Sequence, residues 1–102
     1  MLGSKVLVDG RTWKSPSNNA KTNWIGPTIL LHNNPNVPAM TDEIFGPVLS
    51  VYICSSWEEA LTIQNSSPFG NAASIYTTKG AHADYFIKHF KGAMLGVNIG
   101  IP

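Results

Sequence analysis

Val48-Leu49-Ser50-Val51-Tyr52-Ile53 is a β-branched, aliphatic and aromatic run with little polar alternation. That is the pattern of a strand covered on both faces, and it reads as a central parallel strand. Ser55-Ser56 follow, and then Trp57-Glu58-Glu59-Ala60-Leu61. Either serine can cap a helix there, with Glu58 or Glu59 completing a capping box three residues on. Trp57, Ala60, Leu61 and Gln64 keep helical spacing until Ser67-Pro68 and Gly70 stop it. Residues 71–78 read as a second strand. Ala83, Phe86, Ile87 and Phe90 recur at the spacing of one helix face, Lys88, His89 and Lys91 place cations in the last turn, and Gly92 is expected as the C-terminal cap. Residues 94–99 form a third apolar run. Strand, helix, strand, helix, strand over residues 48–99 predicts an α/β fold, a parallel sheet with flanking helices. The alternation stops just after its last strand, as expected of a chain that ends inside its domain.

Upstream, residues 5–8 predict a strand ended by Asp9-Gly10, and residues 28–31 another, introduced by Gly26-Pro27. Between them, Thr12 to Asn23 is polar and reads as a surface loop. Residues 33–47 hold three of the seven prolines and read as irregular.

The composition bounds the partners. The 102 residues suit one small domain, 13% of them are charged against about 25% in typical domains, and the net charge is +1. No basic stripe is present to neutralise phosphates, so nucleic acid is not an expected partner. The apolar content of 43% excludes disorder. No apolar run approaches the roughly 18 residues of a membrane span, and no secretory leader is recognisable, so a cytoplasmic setting is the default and no membrane partner is expected. A single cysteine permits no disulfide within one chain. With so little charge on a chain so short, part of the surface is expected to be covered by other polypeptide.

Few residues carry chemistry on their own. His32, His82 and His89 lack metal-ligand spacing and read as surface imidazoles, so no metal site is expected. Cys54 ends a predicted strand at the edge where parallel sheets bind ligands, yet no base stands beside it in sequence and a small packed thiol is the simpler reading. No catalytic residue is therefore assigned. Gly92, Gly96 and Gly100, spaced by four, suggest close backbone packing. Asp42-Glu43-Ile44-Phe45-Gly46-Pro47 differs, because it sets an acid and an aromatic two residues apart in a turn before a strand. A carboxylate accepts from vicinal ribose hydroxyls, and an aromatic packs on a flat ring. A solvent-facing acid beside a core phenylalanine is the alternative.

Glu43-Ile44-Phe45-Gly46-Pro47-Val48 resembles the E-I-F-G-P-V signature of the NAD(P)-dependent aldehyde dehydrogenase superfamily. Trp24-Ile25-Gly26-Pro27-Thr28 is similar to that family's aromatic-x-x-P-T strand start. Residues 68–77 are similar to its Y-G-L-x-A-x-V-F-T segment, in the same order along the chain. The ending, Gly96-Val97-Asn98-Ile99-Gly100-Ile101-Pro102, resembles the G-V-N-x-x-x-P of the methylmalonate-semialdehyde dehydrogenase branch, whose acylating members use coenzyme A.

The resemblance implies that residues 1–102 form the C-terminal part of an aldehyde dehydrogenase catalytic domain. The nucleophile motif and the dinucleotide-binding domain of the family lie outside it. It implies that Glu43 binds the nicotinamide ribose hydroxyls, that Phe45 flanks the nicotinamide ring, and that Asn98 and Ile101 border the substrate tunnel. The implied complete enzyme uses NAD, a semialdehyde substrate and coenzyme A as acyl acceptor, and is a homo-oligomer, cytoplasmic or in the mitochondrial matrix. The chain alone is expected to be inactive and to bind no cofactor tightly. A truncated paralogue serving as a non-catalytic interaction or self-associating module is the alternative.

Overall fold

Five apolar segments become strands, at the places their patterning predicts. In the computed structural model, which describes residues 3–15 and 23–100, they fall in two compact units, residues 1–53 and 54–102. Much of the polar loop at residues 12–23, together with Ile101 and Pro102, lies outside the described residues.

The first unit contains β1 (Lys5–Val8), a 3-10 turn (Gly10–Thr12), β2 (Thr28–His32), α1 (Pro38–Thr41) and β3 (Val48–Tyr52). Its sheet has the order β1-β2-β3. β1 runs antiparallel to β2, with a register shift between Val6 and Val8. β2 and β3 are parallel and in register from Thr28–Val48 to His32–Tyr52. The Thr28 N–H donates to Pro47 O at 2.8 Å, which starts this ladder and anchors the turn before β3. Parallel neighbours need a connection of about a dozen residues or more. Residues 33–47 supply it, and they are not wholly irregular. Pro38 opens α1 after an extended Val37, as suits a residue with fixed φ and no N–H to satisfy, and Val37 is buried.

Two expectations are corrected here. β3, expected as a central strand, is the edge strand of a mixed sheet in which it pairs in parallel with β2, while β4 and β5 form a two-stranded parallel sheet. Periodicity marks a strand but carries no information about its partner, which is chosen by long-range register. His32, read as a loop imidazole at the surface, closes β2 and is 4% exposed, its Nδ1 lying 2.7 Å from Ser4 Oγ.

At the start of the 3-10 turn, the Asp9 carboxylate accepts from the Arg11 backbone N–H at 3.0 Å and from its guanidinium at 2.9 and 2.8 Å. The guanidinium bonds first, and the backbone bond second, lower the Asp9 carboxyl from 3.8 to about 2. Because the folded value is depressed, the stabilisation of the turn is complete above the ordinary carboxylate range near about 4 and is lost as pH falls through the folded value. The Arg11 Nε–H resonance is therefore expected to titrate with a midpoint of about 2. A midpoint at the ordinary carboxylate value would show that this pair does not persist in solution.

The second unit contains α2 (Trp57–Ser66), β4 (Ala72–Ile75), α3 (Gly80–His89) and β5 (Met94–Val97). Ser56 caps α2 by accepting from the Glu59 N–H at 3.1 Å. Glu59 reaches back to the Ser55 N–H at 2.7 Å, one residue further out than in the usual reciprocal box. β4 and β5 are parallel and in register from Ala72–Met94 to Ile75–Val97, as expected of two strands joined through a helix. Leu61, Ala73, Phe86 and Phe90 form the core with Ile75 against it, and the Phe86 and Phe90 rings stack at 5.2 Å. Of the stripe predicted for α3, Phe86 and Phe90 are buried and Ile87 is half exposed.

Gly92 is not a left-handed cap, since Gly3 is the only described glycine with positive φ. A Cβ at Gly92 would stand 2.2 Å from the Phe90 ring and 2.9 Å from Gly70 O. The residue is small so that the chain can turn past that ring. Packing also constrains Gly96, whereas nothing lies within 4 Å of a Cβ built at Gly100.

Candidate functional site

Between α1 and β3 the backbone makes two successive three-residue turns. The Gly46 N–H donates to Ile44 O at 3.1 Å, and the Val48 N–H to Gly46 O at 2.8 Å. Phe45 and Pro47 are the central residues, and their φ values lie on the negative side, so both are inverse γ-turns. Proline suits the second, because its ring already holds φ in that range. The Pro47 carbonyl is fixed to β2, so this kinked ribbon is tied to the sheet at one end.

The ribbon presents its side chains outward. Phe45 is 93% exposed, against the alternative of a core phenylalanine. Glu43 is exposed as well and makes no hydrogen bond to a described residue. Nothing lies within 4 Å of a Cβ built at Gly46, so the turn is open on that side. A ring with free faces and an uncommitted carboxylate fit the two needs of a nicotinamide riboside, stacking and acceptance from paired hydroxyls. Burial of so large an aromatic has to come from a ligand or from polypeptide beyond this turn.

Asn98, at the end of β5, is the only described non-glycine residue with positive φ, at 55°. Asparagine tolerates that region better than most side chains. Its Oδ1 accepts from the Thr77 N–H at 2.8 Å and its Nδ2 donates to Thr77 O at 3.0 Å, while its own N–H donates to Ile75 O at 2.8 Å. The carboxamide thus extends the β4–β5 ladder by one rung. Asn98 lies on the second unit, Glu43 and Phe45 on the first, and Ile101 is outside the described residues.

Cys54 is a free, half-buried thiol. Burial first, and the Glu59 carboxylate second, push it above its ordinary value, which leaves less thiolate at neutral pH. His82 stacks on Trp57 at 4.6 Å and His89 on Tyr85 at 3.8 Å. Among the described residues no three His, Cys, Asp or Glu side chains gather as a metal site, and no helix is long and apolar enough to cross a membrane.

Two concavities escaped sequence reasoning. One, of about 420 Å³, lies on the first unit between Val6, Leu30, Val37 and Ala39, with Asp9 and Arg11 at its side. Neither Glu43 nor Phe45 lines it. The other, of about 200 Å³, lies on the second unit between Ala72, Leu95, Gly96, Ile99 and Gly100. The small residues in the pattern around Gly96 were its one readable signal.

Known proteins share this arrangement. Malonate-semialdehyde dehydrogenase of Bacillus cytotoxicus is 40% identical over 100 residues, 98% of this chain and 20% of that protein. The acylating mitochondrial methylmalonate-semialdehyde dehydrogenase of Arabidopsis thaliana is 41% identical over 97 residues, 95% of this chain and 16% of that protein. A crystal structure from Sinorhizobium meliloti, assigned to methylmalonate-semialdehyde dehydrogenase and complexed with NAD, superposes with a TM-score of 0.90 at 37% identity. It matches over 98% of this chain and 20% of that one, so the chain spans about a fifth of the length of these relatives. The family model for aldehyde dehydrogenases matches residues 2–102. With the turn at Glu43 to Val48, the parallel β2–β3 pair that it leads into and this match over residues 2–102 in agreement, the chain belongs to the aldehyde dehydrogenase family.

Proposed function

We propose that this segment forms part of the nicotinamide site and of the substrate tunnel in an NAD-dependent, coenzyme A-acylating malonate- or methylmalonate-semialdehyde dehydrogenase. The observation that carries the reading is Phe45, 93% exposed on an anchored turn beside an uncommitted Glu43, in a chain that aligns along 98% of its own length with a malonate-semialdehyde dehydrogenase. The carboxylate of Glu43 accepts from both ribose hydroxyls, and the ring of Phe45 covers one face of the nicotinamide. Bound NAD supplies the hydride acceptor, and coenzyme A takes the acyl group. Residues 98–100, set by the bonds between Asn98 and Thr77, wall the passage for the semialdehyde. In this reading the segment is the C-terminal part of the catalytic domain.

A chimera tests it. In the Bacillus cytotoxicus enzyme, residues 3–100 of this chain replace the matching fifth. The chimera is expected to reduce NAD with malonate semialdehyde or its methyl derivative, and to need coenzyme A for acyl release. A folded chimera that binds no NAD would overturn the reading.

The isolated chain is expected to show no aldehyde oxidation. In this reading the family's nucleophile motif and dinucleotide-binding domain, which covalent capture and hydride transfer need, lie outside residues 1–102. Turnover that persists through purification and vanishes in Cys54→Ala would make Cys54 a nucleophile.

A self-associating module is the second reading, favoured by exposed Leu49 (57%), Ile53 (75%) and Ile99 (63%) and by strands 48–52 and 94–97 that contain no charged residue. Uncharged edges invite strand pairing. Sedimentation at several concentrations is expected to show a dimer or larger species, and a lone 11.0 kDa species at high micromolar concentration would exclude it.

A further inference from the structure

The backbone beyond β5 folds back over its own strand, and one hydroxyl holds it there. Ser74, on β4, donates from Oγ to the carbonyl of Ile99 at 2.5 Å. The approach is possible because the intervening position on β5 is a glycine. A Cβ at Gly96 would stand 3.0 Å from Ser74 Oγ and 3.1 Å from the Ile99 side chain. Asn98, in its left-handed conformation, is clasped to both backbone groups of Thr77. The turn at residues 98–99 is thus held at two points on the β4 side, by a carboxamide at Thr77 and by a hydroxyl at Ser74. The Ile99 side chain itself is 63% exposed and is not held by core packing. Ile99 also walls the cavity of about 200 Å³ that Ala72, Leu95 and Gly96 floor.

We infer that Ser74 is a positioning residue: through its bond to Ile99 it sets the wall that residues 98–100 present, and so the fit of a short semialdehyde. The claim deepens the reading of these residues as substrate tunnel and rests on it. Asn98 alone fixes where the loop leaves β5. Ser74 fixes where the next carbonyl goes, and with it the isoleucine. Without the hydroxyl, Gly96 leaves Ile99 free to swing, and the cavity loses a defined wall. Substrate binding then falls by about what one hydrogen bond contributes, roughly fivefold. Contacts to NAD, on the Glu43 turn, are untouched.

Two measurements decide it. In the full chain, Ser74→Ala and the near-isosteric Ser74→Cys, whose S–H is a weak donor, are expected to speed amide exchange at Thr77 and at residues 98–100, with Ser74→Thr restoring protection. If Ser74→Ala also speeds exchange within α3, the fold has loosened and Ser74→Cys decides. Unchanged exchange at the loop in Ser74→Cys overturns the clamp. In the chimera, Ser74→Ala is expected to raise KM for the semialdehyde about fivefold, leaving kcat and KM for NAD unchanged, with Ser74→Thr restoring it. A loosened loop with an unmoved semialdehyde KM, or with both KM values moved alike, overturns the positioning role while the proposed function stands. A chimera inactive with Ser74 intact removes the proposed function and the substrate role together, and amide exchange still decides the clamp.

Discussion

Glu43→Gln, introduced into a complete enzyme carrying this segment, is expected to slow hydride transfer about a hundredfold, the scale on which an ångström of misplacement acts. Glutamine keeps the length of the side chain and one acceptor oxygen. It replaces the other by an NH2 donor, so it can no longer accept from two vicinal hydroxyls at once, and it loses the charge that strengthens both bonds. The ribose is then held at one point, and the ring it carries can tilt against Phe45. Capture of the aldehyde, which needs neither group, is expected to proceed at its normal rate. Single-turnover kinetics separates the two steps. An unchanged rate of reduced-cofactor formation would remove Glu43 from the site. Phe45→Leu is the companion variant: it retains apolar bulk without a flat face, and a loss smaller than that of Glu43→Gln would make the ribose contact the dominant one.

These two residues also mark how far the sequence could be read. An acid and an aromatic two apart in a turn are compatible both with a pair facing a ligand and with a buried ring, and the resemblance to E-I-F-G-P-V favours the first. The structure puts it 93% exposed, on two inverse γ-turns that Pro47 favours and that no hydrophobic pattern records. Strand and helix positions were legible because they follow from periods of two and 3.6 residues within one segment. The partner of β3 was not, because its pairing with Thr28–His32 is set by register across a connection of fifteen residues, 33–47. His32 was misread for a related reason. Its neighbours Asn33, Asn34 and Pro35 signal a turn, but it is buried at the end of β2, and its hydrogen-bond partner, Ser4, is 28 residues away. Gly92 sits where a helix cap belongs, and only the Phe90 ring beside it shows that its role is space.

Phe86→Ala is expected to unfold the second unit. Phe86 is 8% exposed, stacks on Phe90 at 5.2 Å and completes a core otherwise made of Leu61, Ala73 and the flanking Ile75. Truncating a buried phenylalanine costs about 3–5 kcal/mol. A unit of about fifty residues has only some 2–7 kcal/mol at the usual stability per residue, so the loss removes most or all of it. Ile87, its neighbour on α3, is 48% exposed, and Ile87→Ala is expected to change stability by no more than about 0.5 kcal/mol, as surface positions do. The contrast controls for helix propensity, because both variants place alanine in the same turn. Amide exchange at Ala72–Ile75 and Met94–Val97 reads the result: protection is expected to vanish in Phe86→Ala and persist in Ile87→Ala. Equal protection in the two variants would mean that the four-residue core does not hold β4 and β5 together. The weight would then pass to the polar ties beyond the strands, Asn98 to Thr77 and Ser74 to Ile99, which would become structural first and functional second.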